Sequence, residues 1–325
     1  MSQPSSALPP RILLTGGAGF IGSHLAEALL RRGVELLILD DLNDYYDPAL
    51  KLANLEQVRR AGAYEFVQGD ICDAALVESL MARFRPAMVA HLAARAGVRP
   101  SLEQPALYQR VNVEGTAVLL EAARRHGVER FVFASSSSVY GAASRVPFTE
   151  EDPVRAPISP YAASKIAGEA LCHVYWHLYG IRTVCLRFFT VYGPRQRPDL
   201  AIRKFAEAIA AGRPVPVFGD GTTGRDYTYI DDIVAGILAA MEHPAAFEIF
   251  NLGNSSPVLL NDMIATLERV LGRKAVIDRQ PLQPGDVPIT YADISRARRL
   301  LGWQPRTPLE EGIRRMAEWL GLASA

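Results

Sequence analysis

The chain has 325 residues, 49% of them hydrophobic, with 35 Lys and Arg set against 35 Asp and Glu. That supports a sizeable core in two small domains or one bilobed unit, while the charge balance excludes a basic surface of the kind that holds nucleic acid or an anionic membrane. Three cysteines, Cys72, Cys172 and Cys185, lack metal-ligand spacing and read as reduced core residues of a cytoplasmic protein.

The polar opening from Met1 to Pro10 lacks the apolar core of a signal peptide, and no later run is long enough to span a bilayer. Arg11-Ile12-Leu13-Leu14-Thr15 reads as a buried strand, followed by Gly16-Gly17-Ala18-Gly19-Phe20-Ile21-Gly22 and a helix from Ser23 to Arg32 that Gly33 ends. A second strand, Glu35 to Leu39, ends at Asp40-Asp41. Strand, glycine turn, helix, strand and acid form a dinucleotide fingerprint. The glycines let the backbone approach a pyrophosphate, which a helix N-terminus stabilises. Asp40 stands where a carboxylate accepts hydrogen bonds from an adenosine ribose and repels a 2′-phosphate, so the expected cofactor is NAD rather than NADP.

The alternation continues through a strand at Tyr64 to Gln68, ending at Gly69-Asp70-Ile71 beside the expected adenine, and another at Ala87 to Leu92. That strand ends at the small residues Ala93-Ala94. A helix from Leu107 to His126 carries Asn112 and Gly115. The next strand, Arg130 to Ala134, leads into Ser135-Ser136-Ser137-Ser138, which therefore sit at the carboxyl end of a strand, where open α/β sheets place ligands. Tyr161 and Lys165 open an Ala-rich helix one turn apart on one face. A phenol has a pKa near ~10, and a neighbouring ammonium is expected to lower it, giving a base for a substrate hydroxyl with a serine to share the proton.

From about Arg187 proline and glycine become frequent, which predicts loops and short strands covering the site. Tyr229-Ile230-Asp231-Asp232 is expected to cap a helix through Met241, and Phe247 to Asn251 to return to the sheet as a strand. Helical units follow at Leu259 to Leu271, at Ile294 to Leu301, and from Leu309. The predicted fold is α/β, a doubly wound parallel sheet (Rossmann) with a smaller α/β C-terminal substrate-binding lobe. Residues 9–187, with 228–252 returning to them, form the expected NAD-binding domain. Residues 188–227 and 253–325 form the expected substrate lobe. His173 and His177 have metal spacing on a helix but no third ligand, so no metal is expected.

These stretches resemble an extended short-chain dehydrogenase/reductase of the nucleotide-sugar epimerase group. The likeness rests on Thr15 to Gly22, His91-Leu92-Ala93-Ala94, the serine run, Tyr161/Lys165, Arg187 to Pro194, Gly224-Arg225-Asp226-Tyr227 and Asn251-Leu252-Gly253. Finer features are similar to UDP-glucuronate 4-epimerases: Asp41 to Asp47, Ala96 to Ser101, Arg197-Pro198-Asp199 and Gln283 to Val287. The resemblance implies catalysis by Tyr161, Lys165 and Ser136, with Ser137 and Ser138 as competitors for the sugar O4. It implies cofactor contacts from Gly16, Gly19, Phe20, Ile21, Gly22, Asp40, Asn43, Asp70, Ile71, Leu92, Ala93, Ala94 and Asn112.

It also places Thr190, Asp199 through Ile202, Phe218, Arg225 and Asp286 around a UDP-sugar. Gln283 stands where relatives often carry a second arginine. A sugar carboxylate would be held by Arg197, with Arg195 and Arg99 as alternatives. Dehydratases of this group carry Asp-Glu before Val-Tyr-Gly, and decarboxylases a Glu; Ser138 here favours plain epimerisation. UDP-galactose 4-epimerases carry Tyr-Phe-Asn in place of Phe188-Phe189-Thr190, which counts against galactose. The rival readings are a UDP-glucose/UDP-galactose 4-epimerase, a UDP-glucuronate decarboxylase and a non-catalytic NAD-sensing protein. The resemblance implies a homodimer formed by the helices around Leu107–His126 and Tyr161–Tyr179. Ala163, Ala167, Leu171, Val174 and Leu178 either form that contact or face the sheet.

Overall fold

The computed structural model describes residues 7–142, 145–244, 246–281 and 287–322. Strand β1 (Arg11–Thr15) is buried along its apolar run and feeds the glycine turn. Helix α1 (Phe20–Arg31) leaves that turn and ends where Gly33, at φ +75°, reverses the chain. Strand β2 (Glu35–Asp40) pairs parallel with β1. Helix α2 (Pro48–Ala61) is capped by the Asp47 carboxylate, strand β3 (Glu65–Gln68) follows, and helix α3 (Ala74–Phe84) is capped by Asp73. Strand β4 (Met88–His91) then pairs with the opposite edge of β1.

Helices α4 (Val98–Glu103), α5 (Pro105–Gln109) and α6 (Gly115–Arg125) come next. The single helix expected over Leu107–His126 is interrupted by a π-helical turn, Arg110–Glu114. Asn112 lies in that turn and reaches out to bind neighbouring backbone, a local use that π-turns often serve. Strand β5 (Arg130–Ser136), helix α7 (Pro160–Tyr179), capped by the Ser159 hydroxyl, and strand β6 (Arg182–Phe188) complete the run.

Beyond it lie β7 (Thr190–Tyr192), α8 (Ala201–Ala210), β8 (Pro214–Phe218), β9 (Gly224–Tyr229) and α9 (Ile230–Glu242). The chain closes with β10 (Phe247–Leu252), β11 (Pro257–Leu259), α10 (Leu260–Leu271), β12 (Val276–Gln280), α11 (Ser295–Leu301) and α12 (Leu309–Trp319). The main sheet runs β10-β6-β5-β4-β1-β2-β3, with β10 parallel to β6 as the returning strand. Strand order reverses between β1 and β4, which opens a crevice at their carboxyl ends. The smaller sheets are β11-β9-β7 and β12-β8.

Successive β1 residues point to opposite faces, so Ile12 and Leu14 join one core and Leu13 the other. The larger core continues from Leu14 and Val132 to Val217, Met263 and Trp303, so the C-terminal elements share apolar packing with the main sheet. Helix α8 falls where proline frequency predicted only loops and strands. Its Ile202, Phe205, Ala206 and Ile209 recur at helical spacing and are buried. Tyr229 rather than an aspartate is the N-cap of α9. Asp231 and Asp232 lie in its first turn, where Asp232 accepts from the Thr307 amide at 2.9 Å and so fixes the C-terminal segment.

Candidate active site

One cleft of about 450 Å³ follows the carboxyl ends of β1, β2, β4 and β5. At one end the glycine turn forms a cradle with no room for side chains. Gly16 has φ +74°, and a Cβ there would lie 2.6 Å from the Ala93 amide nitrogen; one on Gly22 would lie 2.1 Å from the Gly16 carbonyl oxygen. No side chain caps α1, so its first-turn amides remain available to an anion at the cleft. Asp40 is buried and its carboxylate accepts from the amides of Ala18 (3.1 Å) and Leu42 (3.0 Å). The carboxylate thus shapes the glycine turn as well as lining the cleft. Burial raises its pKa, opposed by the Leu42 amide. Asn43, Asp70, Ile71, Leu92, Ala93 and Ala94 line the same stretch, as expected of a dinucleotide site. The cradle, the uncapped helix and the acid fit NAD.

Beneath this floor, His91 bridges Thr15 (2.8 Å) and Thr116 (3.0 Å), and burial lowers its pKa to about 3, so it stays neutral. Asn112 differs from its expected role. It is 2% exposed and outside the cleft lining, and its amide is spent on Arg95 and on Ser164 (2.9 Å). It therefore staples the exit of β4 to the start of α7.

At the other end, β5 delivers the serines and α7 delivers Tyr161 and Lys165. Of the serines, Ser136 lines the cleft with Tyr161 and favours its ionised form, while its hydroxyl donates to the Ser138 hydroxyl at 3.2 Å. Ser135 turns away and donates to Glu169 at 2.5 Å. Burial raises the Tyr161 pKa, and the groups that oppose it are Ser136 and the Arg197 guanidinium. Lys165 is not among those opposing groups. The Lys165 ammonium donates to the Ala134 carbonyl at 2.8 Å and lies 5.9 Å from the Tyr161 ring centroid. Its own pKa falls to about 8 through burial.

Thr190, Ser137, Ser138 and Arg197 line the cleft. The alternatives to Arg197 are committed elsewhere: Arg195 to Glu27 and His24 of α1, and Arg99 to the face of Phe218 at 4.6 Å. Asp199, Phe218 and Arg225 lie outside the lining, Asp199 paired with Arg197 and Arg225 bonded to the Val287 carbonyl. Asp286 and Gln283 fall outside the described residues. His173 and His177 stack in parallel at 6.2 Å, and His173 packs edge-on against Phe247.

Sequence reasoning missed Tyr45, Tyr46, Lys51 and Arg95, all in the lining. The Asp41 to Asp47 stretch signalled the two tyrosines; Lys51 and Arg95 carried no signal. It also missed the buried Glu169–Arg187 pair, doubly bonded at 2.9 and 2.8 Å, with Arg187 donating to Tyr140 and Tyr140 to Asn251. The i+4 step from Lys165 to Glu169 could have revealed it.

A family model described as GDP-mannose 4,6 dehydratase matches residues 13–316. A UDP-glucuronate 4-epimerase of Thermodesulfobacterium geofontis is 44% identical, over 94% of this chain and 95% of its own. The crystal structure of a Bacillus cereus UDP-glucuronic acid 4-epimerase with UDP-glucuronic acid and NAD is similar at TM-score 0.90 and 37% identity, covering 96% of this chain and 99% of that one. A Thermotoga maritima UDP-glucose 4-epimerase with UDP-glucose gives TM-score 0.89 and 35% identity, covering 96% and 98%. The chain belongs to the nucleotide-sugar epimerase and dehydratase family of extended short-chain dehydrogenases/reductases.

Proposed function

We propose that the protein is an NAD-dependent UDP-sugar 4-epimerase that interconverts UDP-glucuronate and UDP-galacturonate through a transient 4-keto sugar. The observation that carries this reading is the convergence of the Tyr161 phenol, Ser136 and the Arg197 guanidinium in the cleft that also holds the glycine cradle. NAD, held by the glycine cradle and Asp40, would supply a hydride acceptor and donor for C4, so no net redox change would result. Tyr161 as phenolate takes the O4 proton, and the Ser136 hydroxyl, in the same cleft lining, shares it. The Lys165 ammonium, fixed on the Ala134 carbonyl, keeps two donors for cofactor hydroxyls.

With a glucuronyl substrate the intermediate is a β-keto acid that could lose CO₂. An arginine fork on the carboxylate opposes this, because the departing neutral CO₂ gives up the ion pair. Arg197 supplies that fork. Ser138, with no acid beside it in the serine run, favours epimerisation over elimination or deliberate decarboxylation.

The fold supports a homodimer. Cys172, Lys165 and Glu169 of α7 face inward and Leu171 packs against the core, whereas Val174 and Leu178 are exposed and Ala163 and Ala167 half-buried, so an apolar face points outward. Among the described residues no helix is long and apolar enough to cross a membrane, and the free cysteines fit a reducing compartment such as the cytoplasm.

Incubation of the purified protein with UDP-glucuronate and with UDP-glucose, without added NAD and then with it, tests the reading by chromatography. Conversion of UDP-glucuronate to UDP-galacturonate with little action on UDP-glucose is the expected result. Preference for UDP-glucose would sink the role given to Arg197. No turnover even with NAD supplied would favour an NAD-sensing protein.

A further inference from the structure

Arg197 is held on two of its three sides. Its Nε and Nη2 donate to the two Asp199 carboxylate oxygens at 2.9 and 2.8 Å, closing the side edge of the guanidinium. The Tyr45 ring lies under its face at 5.3 Å. The Tyr45 hydroxyl favours the ionised Asp199 carboxylate, and the Tyr108 hydroxyl donates to the Ala96 carbonyl at 2.8 Å while its ring stands edge-on to Tyr161 at 6.2 Å. What remains is the end edge, formed by Nη1 and the second Nη2 hydrogen. Arg197 lines the cleft that holds Tyr161, so that edge is the one left for a ligand there.

The backbone carrying Arg197 is fixed as well. Gln196 donates to the Val191 carbonyl at 3.0 Å, its own carbonyl accepts from Arg203 at 2.6 Å, and the Leu200 amide donates to the Arg197 carbonyl at 3.2 Å. An arginine side chain loses considerable rotamer freedom when it must present one edge in one direction. Here Asp199 and Tyr45 have already imposed that order before any ligand arrives, which is the condition for tight recognition of a carboxylate. Tyr45 also lies in the loop after β2, two residues from Asn43 at the cofactor end, so one loop serves both ends of the cleft.

We infer that Asp199 and Tyr45 form a clamp that holds Arg197 end-on to C6 of the sugar, and that this clamp sets both the preference for a carboxylate and the fate of the 4-keto intermediate. Asp199 is a positioning residue acting through Arg197, rather than a contact to the nucleotide. The inference rests on the assignment of a glucuronyl substrate to this cleft. When the clamp is loosened, the fork no longer restrains the β-keto carboxylate. The C5–C6 bond then breaks, its electron pair passes into a C4–C5 enolate, CO₂ leaves, and C5 takes a proton to give a 4-keto pentose. Returning the hydride to that ketone gives a UDP-pentose, so the hydride balance is unchanged.

The test compares wild type with Asp199→Asn and Tyr45→Phe, using UDP-glucuronate, UDP-glucose and UDP alone. The Asn variant removes the charge but keeps the size; the Phe variant removes one hydroxyl, so it reports even if Asp199→Asn fails to fold. For Asp199→Asn, kcat/KM for UDP-glucuronate is expected to fall about ten- to a hundredfold, the scale of losing a hydrogen bond to a charged group. The fraction of turnovers ending in UDP-pentose rises, UDP affinity stays within about twofold, and Tyr45→Phe shifts the pentose fraction in the same direction by less. Equal losses with both sugars and with UDP would make Asp199 a nucleotide contact and overturn the clamp. An unchanged pentose fraction with unchanged UDP-glucuronate kinetics would overturn it too. Failure of the wild type itself on UDP-glucuronate would instead remove the reading on which the clamp rests.

Discussion

The Tyr161 phenol sits in a conflict between burial, which raises its pKa, and two neighbours that lower it, Ser136 and Arg197. If the phenolate is the working base, kcat/KM rises with pH on the limb that reports Tyr161. Removing the Ser136 hydroxyl withdraws a neighbour that favours the phenolate, so Ser136→Ala is expected to move that limb to higher pH as well as lower the plateau. A pH–rate profile measured on UDP-glucuronate checks this; an unmoved limb would separate Ser136 from the proton. Tyr161→Phe is expected to cost about 10²–10⁴-fold in kcat while leaving UDP binding intact, readable by turnover and by calorimetric titration.

Helix α7 carries the catalytic pair on the face turned toward β5, and its orientation depends on the pair buried one turn further on. Glu169 and Arg187 are 7% and 2% exposed and doubly bonded, with Ser135 of β5 also donating to Glu169. Glu169→Gln is expected to cost about 3–5 kcal/mol in urea unfolding, because it leaves the Arg187 charge buried without its partner. Joint replacement, Glu169→Leu with Arg187→Met, is expected to recover most of that loss, since desolvation of both charges is then relieved. A double variant as unstable as the single one would show that the pair contributes through its hydrogen bonds to Ser135 and Tyr140 instead.

At the scale of the whole molecule, the outward face of α7 presents Val174, Leu178 and Tyr179 at 43%, 60% and 50% exposure. Water does not favour such a face on an isolated chain, and a second copy of the same helix would cover it isologously. Val174→Asp with Leu178→Arg is expected to convert a dimer into a monomer in sedimentation experiments while the circular dichroism spectrum is retained. A wild-type protein that sediments as a monomer would remove the proposed interface. The shared core links this scale to the chemistry. The main sheet supplies the cradle and the base, the loop between β7 and α8 supplies Arg197, and Leu14, Val217 and Met263 lie in one apolar cluster.

What was legible in the sequence is what short-range geometry dictates. The glycine turn between an apolar strand and a helix, Asp40 at the end of the next strand, and Tyr161 and Lys165 one turn apart each depend on residues close in the chain, so pattern alone places them. The alternation of strands and helices likewise implies a parallel sheet, because a parallel crossover needs the intervening helix. Choices among chemically equivalent residues were decided only by tertiary structure. Arg195 and Arg197 stand in one loop and Arg99 in the first turn of α4, and only packing commits Arg195 to α1, turns Arg99 onto Phe218 and brings Arg197 to the cleft that holds Tyr161. Ser135 donates to Glu169 while Ser136 favours the Tyr161 phenolate, because successive strand residues face opposite sides and the way α7 lies on the sheet decides what each side meets. Asn112 staples backbone, and Tyr45 lies against Arg197 across 152 positions of sequence, since side-chain partners distant in the chain are set by the folded path of the backbone.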